Sequence, residues 1–308
     1  MRRHGDRERR RATHRSRTDL FSHGSRNTDR RPIGNGGHTV SRECKTAPGT
    51  GFRFSILGGL DLRIDGTRPE TPTGKQHTLF AALLLHPDRV LSVEELTEYL
   101  WEDSLPQHPA AALQTVVTRA RRALSGEARA RDVIRRHRAG YGLAASGCWV
   151  DLVEFRALVR RADAARRDGN HRRESQLLGA ALDLWSRPAL PDVASESLRR
   201  AVLPRLTEEW LASAERRAEV DLALGRLQGL VPELTSLATT FPYHEGLWRA
   251  RMLALHHSGR DTEALQVYAE FRDRARSELG TDPGSRMKAA HLAVLRGDKD
   301  RPGTAKER

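Results

Sequence analysis

Cysteine, lysine and long apolar runs are all scarce in this chain of 308 residues. Its two cysteines, Cys44 and Cys148, are too few for a disulfide framework or a Cys-x-x-Cys zinc site, so we interpret both as structural bystanders. No stretch reaches the ~18 consecutive apolar residues of a membrane-spanning helix, and no apolar segment follows the N-terminal arginines as it would in a signal peptide. These absences predict a soluble cytoplasmic protein that contacts no membrane and holds no metal and no cofactor.

Acidic residues are sparse in two zones of the chain. The first 50 residues hold 13 Arg and Lys against 5 Asp and Glu, and residues 119–138 hold eight arginines against Glu127 and Asp132. Two basic zones predict a polyanionic partner. Only five of the 53 basic residues are lysine, as a GC-rich genome would produce. The number of arginines therefore does not by itself identify that partner.

Composition also divides the chain into four parts. Residues 1–50 have almost no large apolar side chains and cannot offset the entropy cost of folding, so we expect a disordered basic tail. That tail is interpreted either as an arm that attracts phosphates or as the product of a start codon assigned too far upstream. We predict domains at residues 51–148 and 149–297, followed by a second disordered tail at residues 298–308.

Residues 51–148 alternate short strand and helix patterns. FRFSILGGLDLRIDG, which ends at Asp65-Gly66, predicts two or three antiparallel strands. GKQHTLFAALLLHPDR predicts an apolar helix, and LSVEELTEYLW predicts a second helix with a capping box between Ser92 and Glu95. LQTVVTRARRAL predicts a third helix, and residues 133–144 predict a hairpin. This order is typical of a winged helix-turn-helix domain with an added N-terminal β-sheet.

The third helix predicts a DNA-reading surface. At ~100° of rotation per residue, its apolar seam consists of Leu113, Val117, Ala120 and Leu124. The opposite side carries Thr115, Thr118, Arg119 and Arg122. Long guanidinium groups beside short hydroxyls suit the major groove, where Arg pairs with guanine edges or phosphates and Thr contacts thymine methyl groups. The competing interpretation is a solvated helix face with surplus arginine.

The predicted hairpin extends this surface. Its basic residues are Arg135, Arg136, His137 and Arg138, which we expect to reach a neighbouring minor groove or its phosphates. Arg121 and Tyr141 complete the predicted DNA-binding set. His137 has no second His or Cys at ligand spacing, so we interpret it as a surface residue rather than a metal ligand.

Strand patterns end near Asp151. We predict that Asp151 is the N-cap of the first of many amphipathic helices. Gly225-Arg226 and Gly259-Arg260 lie 34 residues apart, and each pair opens a new helical stretch. That period is typical of tetratricopeptide repeats, which stack helix pairs into a solenoid that binds proteins, including copies of itself. Three tryptophans are interpreted as core anchors: Trp185, Trp210 and Trp248.

The order of seven motifs carries a family resemblance: ILGGLDLRIDG, KQHTLFAALLLHPDRVLSVEELTEYLW, LQTVVTRARRAL, GYGL, ALDLWSRPALPDV, EVDLALGR and HHSGRDTEALQVYAEFRDRARSELGTDPG. Over about residues 52–297 the chain resembles the Streptomyces antibiotic regulatory protein family. The resemblance implies an α+β architecture, with an OmpR-type winged helix-turn-helix domain and N-terminal β-sheet. An all-α, tetratricopeptide-like bacterial transcriptional activation domain would follow, as in the small two-domain form of the family.

The resemblance also implies a function and partners. A family member activates genes of a secondary-metabolite (antibiotic) cluster by binding double-stranded DNA at direct repeats near the −35 element, as a homodimer associated with the nucleoid. It then recruits RNA polymerase, including its sigma factor. The loop WEDSLPQHP lies where related winged-helix activators touch polymerase, so Glu102 and Asp103 are the residues expected to make that contact.

The sequence also bears on two other classes of protein, an enzyme and a repeat scaffold. Thr73-Gly74-Lys75 suggests a phosphate loop of an enzyme, but Pro69 stands where the first glycine of that motif belongs and Gln76 replaces its Ser or Thr. The sequence contains no HExxH, GxSxG or paired Cys-His cluster, so we expect no enzyme. The alternative that stays open is a repeat scaffold that binds proteins without reading DNA sequence.

Overall fold

The computed structural model describes residues 51–298, except for Glu70, Asp88 and residues 125–132, 145–147 and 186–189. The predicted tails, residues 1–50 and 298–308, lie outside the described residues except for Asp298, and Cys44 lies outside them too. Among the helices of the described part, none is long and apolar enough to cross a membrane.

The first half of the described chain is a winged helix-turn-helix domain. Its helices are α1 (Lys75–Leu85), α2 (Val93–Trp101) and α3 (Pro109–Ala123). Its strands are β1 (Phe52–Ser55), β2 (Asp61–Ile64), β3 (Leu91–Ser92), β4 (Ile134–Arg136), β5 (Gly140–Leu143) and β6 (Cys148–Val150). Helix α1 is buried along most of its length and forms the centre of the domain. The capping box predicted for α2 is confirmed, because the Ser92 hydroxyl accepts from the Glu95 amide and the Glu95 carboxylate accepts from the Ser92 amide.

The N-terminal sheet has the strand order β2-β1-β6. Strands β1 and β2 are antiparallel, with Phe52 opposite Ile64. The tight turn expected at Asp65-Gly66 comes after β2, where the backbones of Ile64 and Thr67 bond to each other. The third strand differs from the prediction, because β6 pairs in parallel with β1 and places Cys148 opposite Phe52. The predicted domain boundary between residues 148 and 149 therefore cuts through a strand, and the helical half begins after Val150.

The second sheet, with the order β3-β5-β4, carries the predicted hairpin. Strand β3 lies so close to β5 that a Cβ atom at Gly140 would sit 1.9 Å from the Leu91 carbonyl oxygen. Only glycine fits at that position, because any side chain would collide with the backbone of the neighbouring strand.

The described residues after Val150 form helices and their connections. The helices are α4 (Asp151–Arg167), α5 (His171–Leu182), α6 (Glu196–Ala223), α7 (Leu230–Thr240), α8 (Glu245–His257), α9 (Asp261–Leu279) and α10 (Ser285–Arg296). Helices α4 and α5 pack together, as do α8 and α9. The predicted repeat corresponds to two equivalent helix ends, since Gly225 and Gly259 both have positive φ and the amide of the following arginine bonds back five residues in each case.

Aromatic side chains link the helical layers. Phe155, Trp185, Trp210 and Phe241 form a row with centroid separations of 5.4, 6.4 and 5.9 Å. Trp248 is buried, whereas Trp185 and Trp210 are half-buried. All three pack against core residues, as expected of core anchors. One apolar cluster runs from Phe52 through α1 to Leu206 and joins the winged helix to the first helices of the second half.

Asp151 is a correction to the predicted N-cap. It is the first helical residue of α4, and Val150 occupies the N-cap position without a side-chain bond. The Asp151 carboxylate is 2% exposed and accepts from the amides of Ile56 at 2.7 Å and Leu57 at 2.9 Å, and also from the Leu152 amide. Burial raises the pKa of Asp151 to about 6, against the lowering effect of these amides. The residue therefore fastens the start of the helical half to the end of β1.

Candidate nucleic-acid interface

Helix α3 has the two sides that its sequence predicts. The seam residues Leu113, Val117, Ala120 and Leu124 are at most 1% exposed. On the other side Thr115, Thr118, Arg119 and Arg122 are exposed. The buried seam fixes the helix on α1 and α2 and leaves the polar side open to a partner. The geometry thus supplies a supported helix with an exposed outer face, which a major-groove reader requires.

The two threonines of this face use their hydroxyl protons within the helix. Thr115 Oγ1 donates to the Ala111 carbonyl at 3.0 Å, and Thr118 Oγ1 donates to the Gln114 carbonyl at 2.8 Å. These bonds fix the side chains, so the methyl groups and the remaining oxygen lone pairs are what the helix offers outward. That arrangement suits contact with a thymine methyl group or acceptance from a base amino group.

The hairpin of β4 and β5 forms the wing. Its turn is closed by bonds between His137 and Gly140, and the Ala139 carbonyl accepts from the Val93 amide at the start of α2. The wing is therefore anchored to the helix-turn-helix, while its basic residues Arg135, Arg136, His137 and Arg138 are all exposed. No cluster of His, Cys, Asp and Glu suited to a metal occurs in the described part of the chain.

Arg121 has a different place from the other predicted DNA-binding residues. It is half-buried, and its Nε and Nη2 donate to the Ile134 carbonyl at 3.2 and 2.6 Å. The guanidinium thereby joins the C-terminal end of α3 to the first strand of the wing. Arg121 therefore holds α3 and the wing together and does not lie on their outer surface.

Tyr141 also departs from its expected exposure. It is 6% exposed on β5, opposite Leu91 on one side and Arg136 on the other. Its ring belongs to the core of the domain, so it supports the wing from behind.

Gln114 is an exposed residue that the sequence reasoning left out. It lies four residues before Thr118, hence on the same face of α3, and its amide has the donor and acceptor pair that suits adenine. Its spacing of four residues from Thr118 is the sequence signal that predicts this position on the outer face of α3.

The charged side chains of α3 and the wing are of one sign among the described residues. Among the described residues 109–124 and 133–144 there are six arginines and no Asp or Glu. Arg119 is exposed and makes no ion pair within the described residues. A surface of this kind attracts a phosphate backbone over a distance of about 8–10 Å at moderate salt.

The two acidic residues that follow α2, Glu102 and Asp103, have different surroundings in the structure. Glu102 Oε1 accepts from the Ser197 amide at 2.8 Å and lies 3.5 Å from the Ser195 hydroxyl, at the start of α6. The Ser197 bond holds the pKa of Glu102 below its ordinary value. Asp103 is exposed, and nearby Leu105 is 61% exposed. Glu102 thus already has a partner inside the chain, whereas Asp103 and Leu105 face outward.

Lys75, the residue that suggested a phosphate loop, has a structural role. It begins α1, donates to the Leu100 carbonyl at 2.7 Å and lies 4.9 Å from the centroid of the Trp101 ring.

Comparison with known proteins agrees with this architecture. Residues 67–143 match the family described as transcriptional regulatory protein, C terminal, and residues 150–295 match the bacterial transcriptional activator domain. Regulatory protein DnrI of Streptomyces peucetius is 34% identical over 253 residues, which cover 80% of this chain and 93% of that protein. The chain belongs to the Streptomyces antibiotic regulatory protein family. Its members bind DNA and regulate transcription, and these relatives are regulators rather than enzymes.

Longer relatives contain the same unit. Regulatory protein AfsR of Streptomyces coelicolor is 34% identical over 250 residues, which are 80% of this chain and 24% of that protein. The solved structure of Mycobacterium tuberculosis EmbR in complex with a low affinity phosphopeptide superposes with a TM-score of 0.74 at 29% identity. It covers 80% of this chain and 65% of the EmbR chain. The fold predicted from the sequence, a winged helix followed by a helical activation domain, is confirmed.

Proposed function

We propose that this protein is a sequence-specific DNA-binding activator of genes in a secondary-metabolite (antibiotic) cluster. One observation carries the DNA-reading part: Arg121 joins α3 to the wing, and the described residues of both elements expose Thr and Arg side chains and contain no Asp or Glu. In this proposal α3 enters the major groove, and the wing contacts the adjacent minor groove or its phosphates.

The proposed operator is a pair of direct repeats near the −35 element. Two copies on direct repeats lie head to tail, which requires a contact between two different surfaces of the chain. The helices from α4 to α10 are the proposed source of that contact, because stacked helix pairs leave broad outer faces. In this proposal a homodimer binds the DNA, and each winged helix covers one half-site.

The proposed route to activation is contact with RNA polymerase and its sigma factor. Asp103 and Leu105 support it, since one supplies a charge and the other an apolar side chain on the same exposed loop. Glu102 enters this proposal indirectly, because its contact with α6 fixes the base of the loop. Run-off transcription with Asp103→Ala is expected to fall while DNA affinity stays the same.

The DNA contact is tested by binding titrations with Arg119→Ala and with Gln114→Ala. If Arg119 contacts a base, its removal costs about 1–3 kcal/mol on the operator and much less on unrelated DNA. Arg161→Ala is the matched control, since Arg161 is an exposed arginine of α4 and belongs neither to α3 nor to the wing. Unchanged operator affinity for both α3 variants in folded protein would contradict the assignment and favour a protein-binding scaffold.

A further inference from the structure

A groove of about 320 Å³ lies in the helical half, between α4 and α6 with α5 beneath. Its lower wall is apolar and includes Phe155, Val159, Leu178 and Ala212. Phe155 and Leu178 are buried, whereas Val159 is half-buried and Ala212 is exposed, so the groove opens to solvent along its upper edge. Its volume is at the lower end of the ~300–1,000 Å³ that is usual for small-molecule pockets.

The rim of the groove is basic. Arg156, Arg160, Arg205 and Arg216 line it, and Glu209 is its single acidic lining residue. Glu209 accepts from Arg156 at 2.9 Å and from Arg205 at 2.8 Å. Burial acts to raise the pKa of Glu209, but these two arginines hold it below its ordinary value.

The remaining two arginines of the rim differ from each other. Arg216 is matched by Asp163 and Glu174, which lie outside the groove lining. Arg160 is exposed and makes no ion pair within the described residues. The rim therefore has more positive than negative charge. An occupant with an anionic group would pair with this surplus positive charge.

The two helices that flank the groove, α4 and α6, are both attached to the winged-helix half near their first residues. Helix α4 begins at Asp151, whose carboxylate holds the backbone at the end of β1. Helix α6 begins beside Ser197, whose amide is held by Glu102 from the helix-turn-helix. The Arg156–Glu209 pair spans the groove from α4 to α6. A molecule in the groove thus touches two helices that are attached to the DNA-binding half.

We propose that this groove binds a small amphipathic acid, with an apolar body against Val159 and Ala212 and a carboxylate or sulfonate against Arg160. An anion there competes with Glu209 for Arg156 and Arg205, so occupancy changes the link between α4 and α6. The chain's own tails do not fit this role, because residues 1–50 and 299–308 both have a surplus of basic over acidic residues.

The test uses anilinonaphthalene sulfonate, a fluorescent amphipathic acid, with the full-length protein and no DNA. Phenylnaphthylamine, a similar molecule without the acid, is the uncharged comparison. Ala212→Trp fills the groove, and Ala201→Trp is its control at another exposed position of α6. Arg160→Gln removes the unpaired charge, and Arg161→Gln removes the neighbouring exposed charge outside the groove.

We expect the sulfonate to bind the unaltered protein and both controls, with affinity at least about tenfold lower in Ala212→Trp and in Arg160→Gln. The uncharged probe should bind more weakly than the sulfonate. Equal sulfonate binding by all variants would overturn the location, and equal binding of both probes would overturn the requirement for an acid. Self-association that is lost only in Ala212→Trp, without probe binding, would make the groove a protein contact and overturn the proposal. These measurements do not depend on DNA recognition. The groove proposal can therefore fail while the proposed function holds, and the reverse is also possible.

Discussion

Glu102 has two energetic effects that its substitutions separate. It ends α2 with φ at 47° and ψ at −118°, a positive-φ conformation that costs a non-glycine residue at least roughly 1 kcal/mol. Its carboxylate accepts from the Ser197 amide at the start of α6, and a capping contact of this kind is worth ~0.5–2 kcal/mol. Because Glu102 is exposed, we take about 1 kcal/mol for the contact.

Glu102→Ala should therefore lose the contact and keep the strain, which lowers stability by about 1 kcal/mol. Glu102→Gly loses the same contact but relieves the strain, so its stability should stay close to that of the unaltered protein. Asp103→Ala, the neighbouring control, should leave stability unchanged, since Asp103 is exposed.

Thermal unfolding followed by circular dichroism measures these differences. For a protein of this size, 1 kcal/mol corresponds to a shift in Tm of roughly 2–4 °C. We therefore expect Asp103→Ala and Glu102→Gly to unfold at a Tm close to that of the unaltered protein. Glu102→Ala should unfold at a lower Tm. If Glu102→Ala and Glu102→Gly unfold at the same temperature, the strain does not contribute. If Glu102→Ala matches the unaltered protein, the contact with α6 contributes nothing to stability.

Three further predictions concern the wing, one buried carboxylate and one glycine. Arg138→Ala should weaken binding to all DNA sequences alike and reduce the slope of log affinity against log salt by about 0.9 if one phosphate contact is lost, as measured in titrations at several salt concentrations. Burial raises the pKa of Asp151 to about 6 from an ordinary 3.8, so the folded state binds the proton more tightly, and this stabilisation is present at low pH and lost as the pH rises through 6. Urea unfolding should accordingly show that the unaltered protein gains about 1.4 kcal/mol more than Asp151→Asn between pH 7.5 and pH 5, and equal pH dependence would refute the shift. Gly140→Ala should cost at least about 2 kcal/mol of unfolding free energy because its Cβ would meet the Leu91 carbonyl, whereas Gly179→Ala, in a helix with open space around it, should be neutral or stabilising.

Features that depend on neighbouring residues could be predicted from the sequence. The capping box of α2 and the seam of α3 are examples, since both follow from residues within one or two helical turns. The wing followed from a short hairpin pattern with Gly140 near its turn. In each case the chemistry that determines the structure lies within the segment itself.

Features that depend on distant contacts could not be predicted in this way. The pairing of β6 with β1 joins segments almost a hundred residues apart, and nothing in Cys148–Val150 specifies its partner. Arg121 looks like the other arginines of α3 until the wing places the Ile134 carbonyl beside it. Glu102 likewise resembles a free acidic loop residue until α6 begins next to it.

The parallel pairing of β1 with β6 also constrains the order of events during synthesis. Strand β1 leaves the ribosome before its second neighbour, β6, and before the Asp151 carboxylate that binds the Ile56 amide, which follows 95 residues later. At ~5–20 residues per second, β1 waits on the order of 5–20 seconds with one edge uncovered. Its two buried phenylalanines, Phe52 and Phe54, have only β2 and the growing helices for cover in that interval. The DNA-binding half therefore completes its fold only when the first helix of the activation half begins to emerge.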